Sequence, residues 1–308
     1  MNLLAPYLFA TGFWELQWGL VACGVLLVIV MQTDHAPARA KPPSRAQRRR
    51  ADKSQRAGSP RRWSLRSVVA VTSLLIVVLV GLIVLIMRAI SSDALLAMRS
   101  FYGVSRVWEI NAEHPELHAY QLTHGKTVHG FQFENEDLRD RPTTFHAESS
   151  GIGLAISNHP TRPGNLRIGA LGLGIGVITS YGQPGDIFRF YEINPDVIRI
   201  AQGKGGYFSF LADSQAHIDI IPGDARVSLE RELVDGGSQN FDLLVLDAFS
   251  GDAVPLHLLT KEAFVTYLKH LKQDGIMAIH VSNRYFNLHW AVYRMADELE
   301  HRFDRGQR

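Results

Sequence analysis

A short apolar run, Leu166 to Leu171, ends in a turn with glycine at 172, 174 and 176. A second apolar run, Ile187 to Tyr191, closes on Glu192, twenty residues after Gly172. Glycine lets backbone N–H groups approach a ligand and lets the chain turn tightly off a strand. A carboxylate at that distance lies where the second strand of a βαβ unit meets a nucleoside's ribose hydroxyls. Strand, turn and acid together point to a nucleoside-containing ligand, with Val177 to Tyr181 expected as the first turns of a helix.

The rest of the C-terminal part keeps that rhythm. Strands are expected at Leu166–Leu171, Ile187–Tyr191, Ile218–Ile221, Phe241–Leu246 and Ile276–Val281, with helices near 194–203, 225–234, 260–272 and 287–301. Continuous apolar strands alternating with helices mean an α/β, Rossmann-like doubly wound parallel sheet, here over 161–308. Before it, residues 91–160 carry short alternating runs at Arg106–Ile110, Ala119–Leu122 and Thr127–Phe133. These predict a small antiparallel β-hairpin unit.

The N-terminal third has a different composition. Residues 67–87 run 21 positions without a charge between Arg66 and Arg88, enough for a bilayer core, so 67–90 is expected to be a transmembrane helix. Residues 16–33, within segment 1–35, are a second expected span, with Trp14 and Trp18 at an interfacial belt. No positive n-region precedes it, which argues against a cleaved signal peptide. The uncharged start, with Pro6 and Gly12, reads like the end of an earlier helix, so further membrane helices of a longer parent protein are expected. Between the spans, 36–66 holds 11 Lys/Arg against Asp52 alone. That composition leaves nothing to bury and predicts a disordered basic loop. Next to a span, it reads as a cytoplasmic topology signal facing anionic lipid, not a nucleic-acid site. Residues 91–308 carry 20 Lys/Arg and 27 Asp/Glu, so the globular part is acidic and suits a cationic partner. The only cysteine, Cys23, excludes a disulfide framework and a thiolate metal site.

Acids stand at successive strand ends, where ligands bind in such sheets. Glu192 ends the second strand, Asp224 in "PGDAR" follows the third, and Asp247 in "FDLLVLDAFSGDAVP" ends the fourth, with Asp252 five residues on. Asp224 is also a fair helix cap. His124, His129 and His159 show no metal spacing and read as surface or structural residues, and no metal is expected. His280, ending the fifth strand, is balanced between core and site rim.

This order of glycine turn, Glu192, "GDAR" and "LLVLDAFSGDAVP" resembles the class I S-adenosylmethionine-dependent enzymes. Within them it resembles the polyamine aminopropyltransferases, the spermidine synthase family, of the type fused to membrane spans. "LTHGKTVHGFQF" and "RPTTFHAESSGIGLAI" are similar to that family's N-terminal β-hairpin region, with Gln132, Phe145 and His146 at its active-site positions. The resemblance implies that Gly172, Gly174, Gly176, Glu192, Asp224 and Gln132 bind the cosubstrate. Glu192 would meet the ribose and Asp224 the adenine amine. Asp247 would act on the attacking amine, while Asp252, His146 and Phe145 would hold the acceptor. The implied reaction moves an aminopropyl group from decarboxylated S-adenosylmethionine to a polyamine or other small amine. An alkylamine has a pKa of about 10.4, so freeing its lone pair at pH 7 costs about 4–5 kcal/mol, and a carboxylate is suited to positioning it and accepting its proton.

Two positions depart from the family pattern. Its turn carries an aspartate, whereas this one reads Gly172-Leu173-Gly174-Ile175-Gly176. Its two loop aspartates are three apart, whereas Asp247 and Asp252 are five apart. Both bear on which group is transferred, and the runner-up is a methyltransferase using S-adenosylmethionine. A third reading is a non-catalytic nucleoside- or polyamine-binding regulatory domain. The class I fold also continues past its fifth strand, whereas no apolar run follows Trp290–Val292 here. The chain therefore reads as C-terminally incomplete, with that strand left at the sheet edge. Orientation is contested: the loop charge places the globular domain outside the cell, in conflict with a cytosolic cosubstrate.

Overall fold

The computed structural model describes residues 24, 65–91, 94–125, 127–248, 255–282 and 287–304. Thr11–Asp93 forms one compact unit and Ala94–Arg308 belongs to another. The expected span 16–33, apart from Gly24, and the basic loop up to residue 64 lie outside the described residues.

In the first unit, helix α1 (Leu65–Ser91) runs 27 residues, covering the expected 67–87 span. Six consecutive apolar side chains, Leu74 to Leu79, are each at least 40% exposed. Because six positions sweep more than one helical turn, they face every direction around the axis. The described side chains of α1 run only between Ala70 and Leu85. Among the described residues no helix is long and apolar enough to cross a membrane.

The second unit begins with an antiparallel sheet of β1 (Ala94–Ser100), β2 (Gly103–Ile110), β3 (Ala119–His124) and β4 (Thr127–Phe133), ordered as in the chain. The expected runs became β2, β3 and β4. Strand β1 has no signal in the sequence pattern, because "ALLAMRS" lacks period-two alternation. Val107 and Leu122 leave this sheet to pack with Ile175, Val177, Ile200, Phe208 and Phe210. That cluster fixes the hairpins over the glycine turn, as burying each large apolar side chain contributes roughly 1.5–3 kcal/mol.

Helix α2 (Gly151–Ser157) leads into the parallel sheet. Its strands are β5 (Arg167–Leu171), β6 (Ile187–Glu192), β7 (His217–Pro222), β8 (Phe241–Leu246) and β9 (Leu271–Ile279). The spatial order is β7-β6-β5-β8-β9, every pair parallel. Helices α3 (Pro195–Ala201), α4 (Phe210–Asp213), α5 (Ala225–Asp235), α6 (Lys261–His270) and α7 (Leu288–Asp304) make up the remainder. All six residues of the interior strand β8 are buried. Side chains alternate between faces: Ile168, Ala170, Leu243 and Val245 join one core, while Leu171, Leu244 and Leu246 join the other with Leu229, Phe264 and Tyr267. Chain order reverses between β5 and β8, and such a switch point opens a crevice at the strands' carboxyl ends.

Two element readings need correction. Val177–Tyr181 is a 3-10 helix, not the opening of an α-helix. Tyr181 is followed by Gly182, Pro184 and Gly185, and β6 begins at Ile187, so no room remains for further turns. Strand β9 starts at Leu271, five residues before expected, because α6 ends at His270 and the chain passes straight into the sheet beside Phe241. Its polar "KQD" opening hides this from the apolar pattern.

Candidate active site

The five parallel strands end on one crevice, and each delivers a distinct group to it: Gly172 after β5, Glu192 from β6, Asp224 after β7, Asp247 after β8 and His280 after β9. Two adjoining cavities, of about 280 and about 340 Å³, share His129, Gly172, Gly174 and Asp247 in their walls. We call them the first and second lobes.

Gly172 makes their common floor possible. Its φ is +96° and a Cβ there would stand 2.4 Å from the carbonyl oxygen of Asp247. Its N–H donates to Tyr191 O at 2.9 Å, while the Asp247 N–H donates to Leu171 O at 3.0 Å, so the turn is tied to both neighbouring strand ends. Gly174 exposes its backbone to both lobes.

Glu192 anchors the first lobe. Its carboxylate accepts from the N–H groups of Leu173 (3.0 Å) and Asn194 (2.8 Å). Burial pushes its pKa up, and the backbone donors of Asn194, Leu173 and Ile193 offset this only in part. Asp224 lines the same lobe and caps α5, accepting from the Val227 N–H at 3.0 Å. Its other oxygen meets His257 Nε2 at 2.8 Å. The cap and the site wall are one residue.

Asp247 sits between two imidazoles: His146 Nε2 lies 2.8 Å from Oδ2 and His280 Nδ1 lies 2.6 Å from Oδ1. Burial would push its pKa up, but the hydrogen bonds and charge of these two histidines outweigh it and hold the carboxyl down at about 2. His146 is delivered by the 3-10 turn Thr144–His146. Thr144 enters that turn at φ +56°, a conformation that costs a β-branched residue about 1–3 kcal/mol. Flanking bonds hold it there: Thr143 Oγ1 donates to Phe131 O at 2.5 Å and the Tyr181 hydroxyl donates to His146 O at 2.6 Å. Phe145 lines the second lobe and packs its ring 4.8 Å from that of His280.

Seven of the expected residues therefore converge: Gly172, Gly174, Glu192, Asp224, Asp247, Phe145 and His146. Gly176 and Gln132 line neither lobe. Gly176, at φ +82°, starts the 3-10 helix against Leu211. Gln132 is consumed as a clamp: its oxygen accepts from Ser209 N at 2.7 Å and its amide nitrogen donates to Arg139 O and Ser209 Oγ, each at 3.1 Å. Asp252 lies outside the described residues. His129, read as structural, instead walls both lobes. Burial above all, then nearby His124, lowers its pKa to about 4, against the pull of Asp247. Nothing in the local pattern marked it, because its importance comes from β4 crossing over the glycine turn. His280 carried a signal in its place at a strand end.

No protein-family model matches the chain. The polyamine aminopropyltransferase of Vibrio vulnificus (strain CMCP6) is 28% identical over 188 residues, covering 59% of this chain and 59% of that protein. The chain thus spans about three fifths of the length of this curated relative. Among solved structures, spermidine synthase from Thermotoga maritima is 16% identical with a TM-score of 0.47, covering 67% of this chain and 64% of that one. A probable spermidine synthase from Corynebacterium glutamicum ATCC 13032 is 16% identical with a TM-score of 0.47, covering 60% and 62% respectively.

Proposed function

We propose that the chain is an aminopropyltransferase-like enzyme that moves an aminopropyl group from decarboxylated S-adenosylmethionine to a polyamine or other small amine. The observation that carries this reading is the meeting across the glycine turn of Glu192, in the first lobe, and Asp247, in the wall that both lobes share. A curated aminopropyltransferase relative supports it. The first lobe fits a nucleoside: Gly172 and Gly174 leave backbone open where side chains would intrude, and Glu192 and Asp224 offer acceptors to hydroxyl and amine donors. In the second lobe Asp247 meets the attacking amine. The amine's lone pair forms the new C–N bond as the C–S bond breaks, its electrons neutralise the sulfonium, and the nitrogen sheds one proton.

One observation favours methyl transfer from S-adenosylmethionine as a second reading: Leu173, Gly174 and Ile175 put no acid in the turn to hold an aminopropyl ammonium. Incubating the full-length chain with putrescine and either cosubstrate, with products identified by mass spectrometry, tests both. Spermidine with methylthioadenosine supports the first reading, and a methylated amine supports the second. No product beside tight nucleoside binding overturns catalysis in favour of a regulatory binding domain.

The proposal includes membrane anchoring through 67–87. The exposed apolar ring of α1 and the basic 36–66 segment support it, and that charge puts the globular unit on the far side from the cytoplasm. Val234, 84% exposed, changed to cysteine in a Cys23→Ser background, tests the side. Labelling of intact cells by an impermeant thiol reagent supports this orientation, and labelling only after lysis reverses it.

A further inference from the structure

The second lobe has two unlike ends. At the strand tips its wall carries Asp247 with His146 and His280, and Phe145 stands exposed at the rim. Its other end is walled by Ala170, Ile178, Phe190 and Val245, each no more than 4% exposed. One rung inside the end of β5 at Leu171, Ala170 stands beside Phe190 of β6 and Val245 of β8. The three belong to the same apolar core, joined there by Ile178 of the 3-10 helix. Ala170 is the smallest of them and lies in the middle, so the rung is notched at its centre. Packed interiors leave few voids larger than a water molecule, yet this hollow of about 340 Å³ runs from the notch to a carboxylate.

We propose that the notch over Ala170 selects the acceptor, and that the acceptor is a primary monoamine with a short apolar tail in preference to a diamine or polyamine. The tail lies against Ile178, Phe190 and Val245 while the amine stays at the strand tips. This narrows the small-amine acceptor of the transferase reading above and rests on it. The reaction keeps its balance: the monoamine's lone pair forms the new C–N bond as the C–S bond breaks, methylthioadenosine leaves, and one proton is released. The product is an N-alkylated 1,3-diaminopropane.

The far end of the acceptor decides between the classes. A methyl group pressed into the notch gains by leaving water, and each methylene buried there tightens binding roughly threefold to fourfold. A second ammonium in the same place gives up its hydration against apolar side chains, and burying an unpaired charge is costly. Among the described residues Asp247 is the one carboxylate in the wall of this lobe, so none is left to meet a second cation. The volume falls in the range of roughly 300–1,000 Å³ usual for small-molecule sites. Pentylamine and putrescine make the contrast direct, because they have equal reach and differ in a terminal methyl against a terminal ammonium.

The test is calorimetric binding of amines to the full-length chain with methylthioadenosine present, followed by mass spectrometry of products formed from decarboxylated S-adenosylmethionine. Pentylamine should bind at least tenfold more tightly than putrescine, and affinity should rise about threefold to fourfold per methylene from propylamine through butylamine to pentylamine. Ala170→Val fills the notch and should weaken pentylamine at least tenfold, with ethylamine within about threefold. If that variant does not fold, the wild-type series decides alone. Putrescine binding as tightly as pentylamine, a flat series, or no amine binding at all overturns the proposal. So does putrescine affinity that Asp252→Asn abolishes, since a loop acid would then read the second ammonium. Pentylamine preference without any transfer sinks the transferase reading and leaves an amine site of the stated class, whereas transfer to putrescine alone upholds that reading and sinks the monoamine.

Discussion

Glu192 and Asp247 stand at the ends of β6 and β8, on either side of β5 in the same sheet, both largely buried, yet burial governs one and its partners govern the other. Glu192 is met by backbone N–H groups from its own turn and the glycine turn, and burial still raises its pKa. Asp247 is met by two side-chain imidazoles, and they lower its pKa despite burial. A carboxylate's charge state thus depends on which donors the tertiary structure aims at it. Backbone amides come with any turn, whereas paired imidazoles require two distant segments to converge. The first lobe is therefore built for hydrogen-bonded recognition and the second for a fixed charge.

Exchanging the roles is the strongest way to break this contrast. Asp247→Asn removes the anion from between its donors, and breaking such a buried pair costs about 3–5 kcal/mol. We expect kcat/KM for the amine to fall about 10²- to 10³-fold while the methylthioadenosine Kd moves by less than about tenfold. Glu192→Gln should do the reverse, raising that Kd about 10- to 100-fold, the range of a charge-assisted hydrogen bond, with the amine KM unchanged. Loss of nucleoside binding in the Asp247 variant, or its survival in the Glu192 variant, would remove the division of labour.

Gly172→Ala strikes the wall both lobes share. The added Cβ would meet the Asp247 carbonyl at 2.4 Å in a backbone at φ +96°, and the turn has to give. We expect about 2–3 kcal/mol of lost stability and a Tm lower by about 5–10 °C, read by thermal melting with and without nucleoside. An unchanged Tm would show that the two strand ends are not tied through this residue.

The smallest effect is pH dependence, and its sign differs between the two acids. Asp247, with its pKa depressed, contributes stability above the unfolded carboxylate value of about 3.9, and loses it as pH falls toward about 2. Glu192, with its pKa raised, contributes fully below its unfolded value of about 4.3, and loses that contribution as pH rises through its higher folded value. In urea titrations between pH 2 and 7, the wild type's advantage over Asp247→Asn should shrink on acidification. Its difference from Glu192→Gln should shift in the opposite direction. Parallel trends would mean that the same environment governs both carboxylates.

What could be read beforehand follows from the range of each interaction. Apolar period and glycine spacing are local, so β5, β6, β7 and β8 and the strand-end acids were legible from the chain. Segments whose register comes from neighbours were not: β1 lacks alternation, and β9 begins in a polar stretch paired to Phe241. The site divides likewise. The backbone N–H groups that Glu192 and the cap of Asp224 accept from lie two to nineteen positions away, although Asp224 also reaches His257, 33 positions on. His146 reaches Asp247 across 101 positions, and Gln132 is drawn out of the lobes by Ser209, 77 positions away.

The α/β sheet, the glycine turn and the acids at the strand ends are written in the chain locally, because strand periodicity and backbone freedom are properties of a few adjacent residues. Only the tertiary structure decided that Asp247 stands between two imidazoles and that His129 walls both lobes. Those relations exist only once β4, the Thr144 turn and β9 pack against β8, and no local pattern encodes a contact whose partners meet only through the fold.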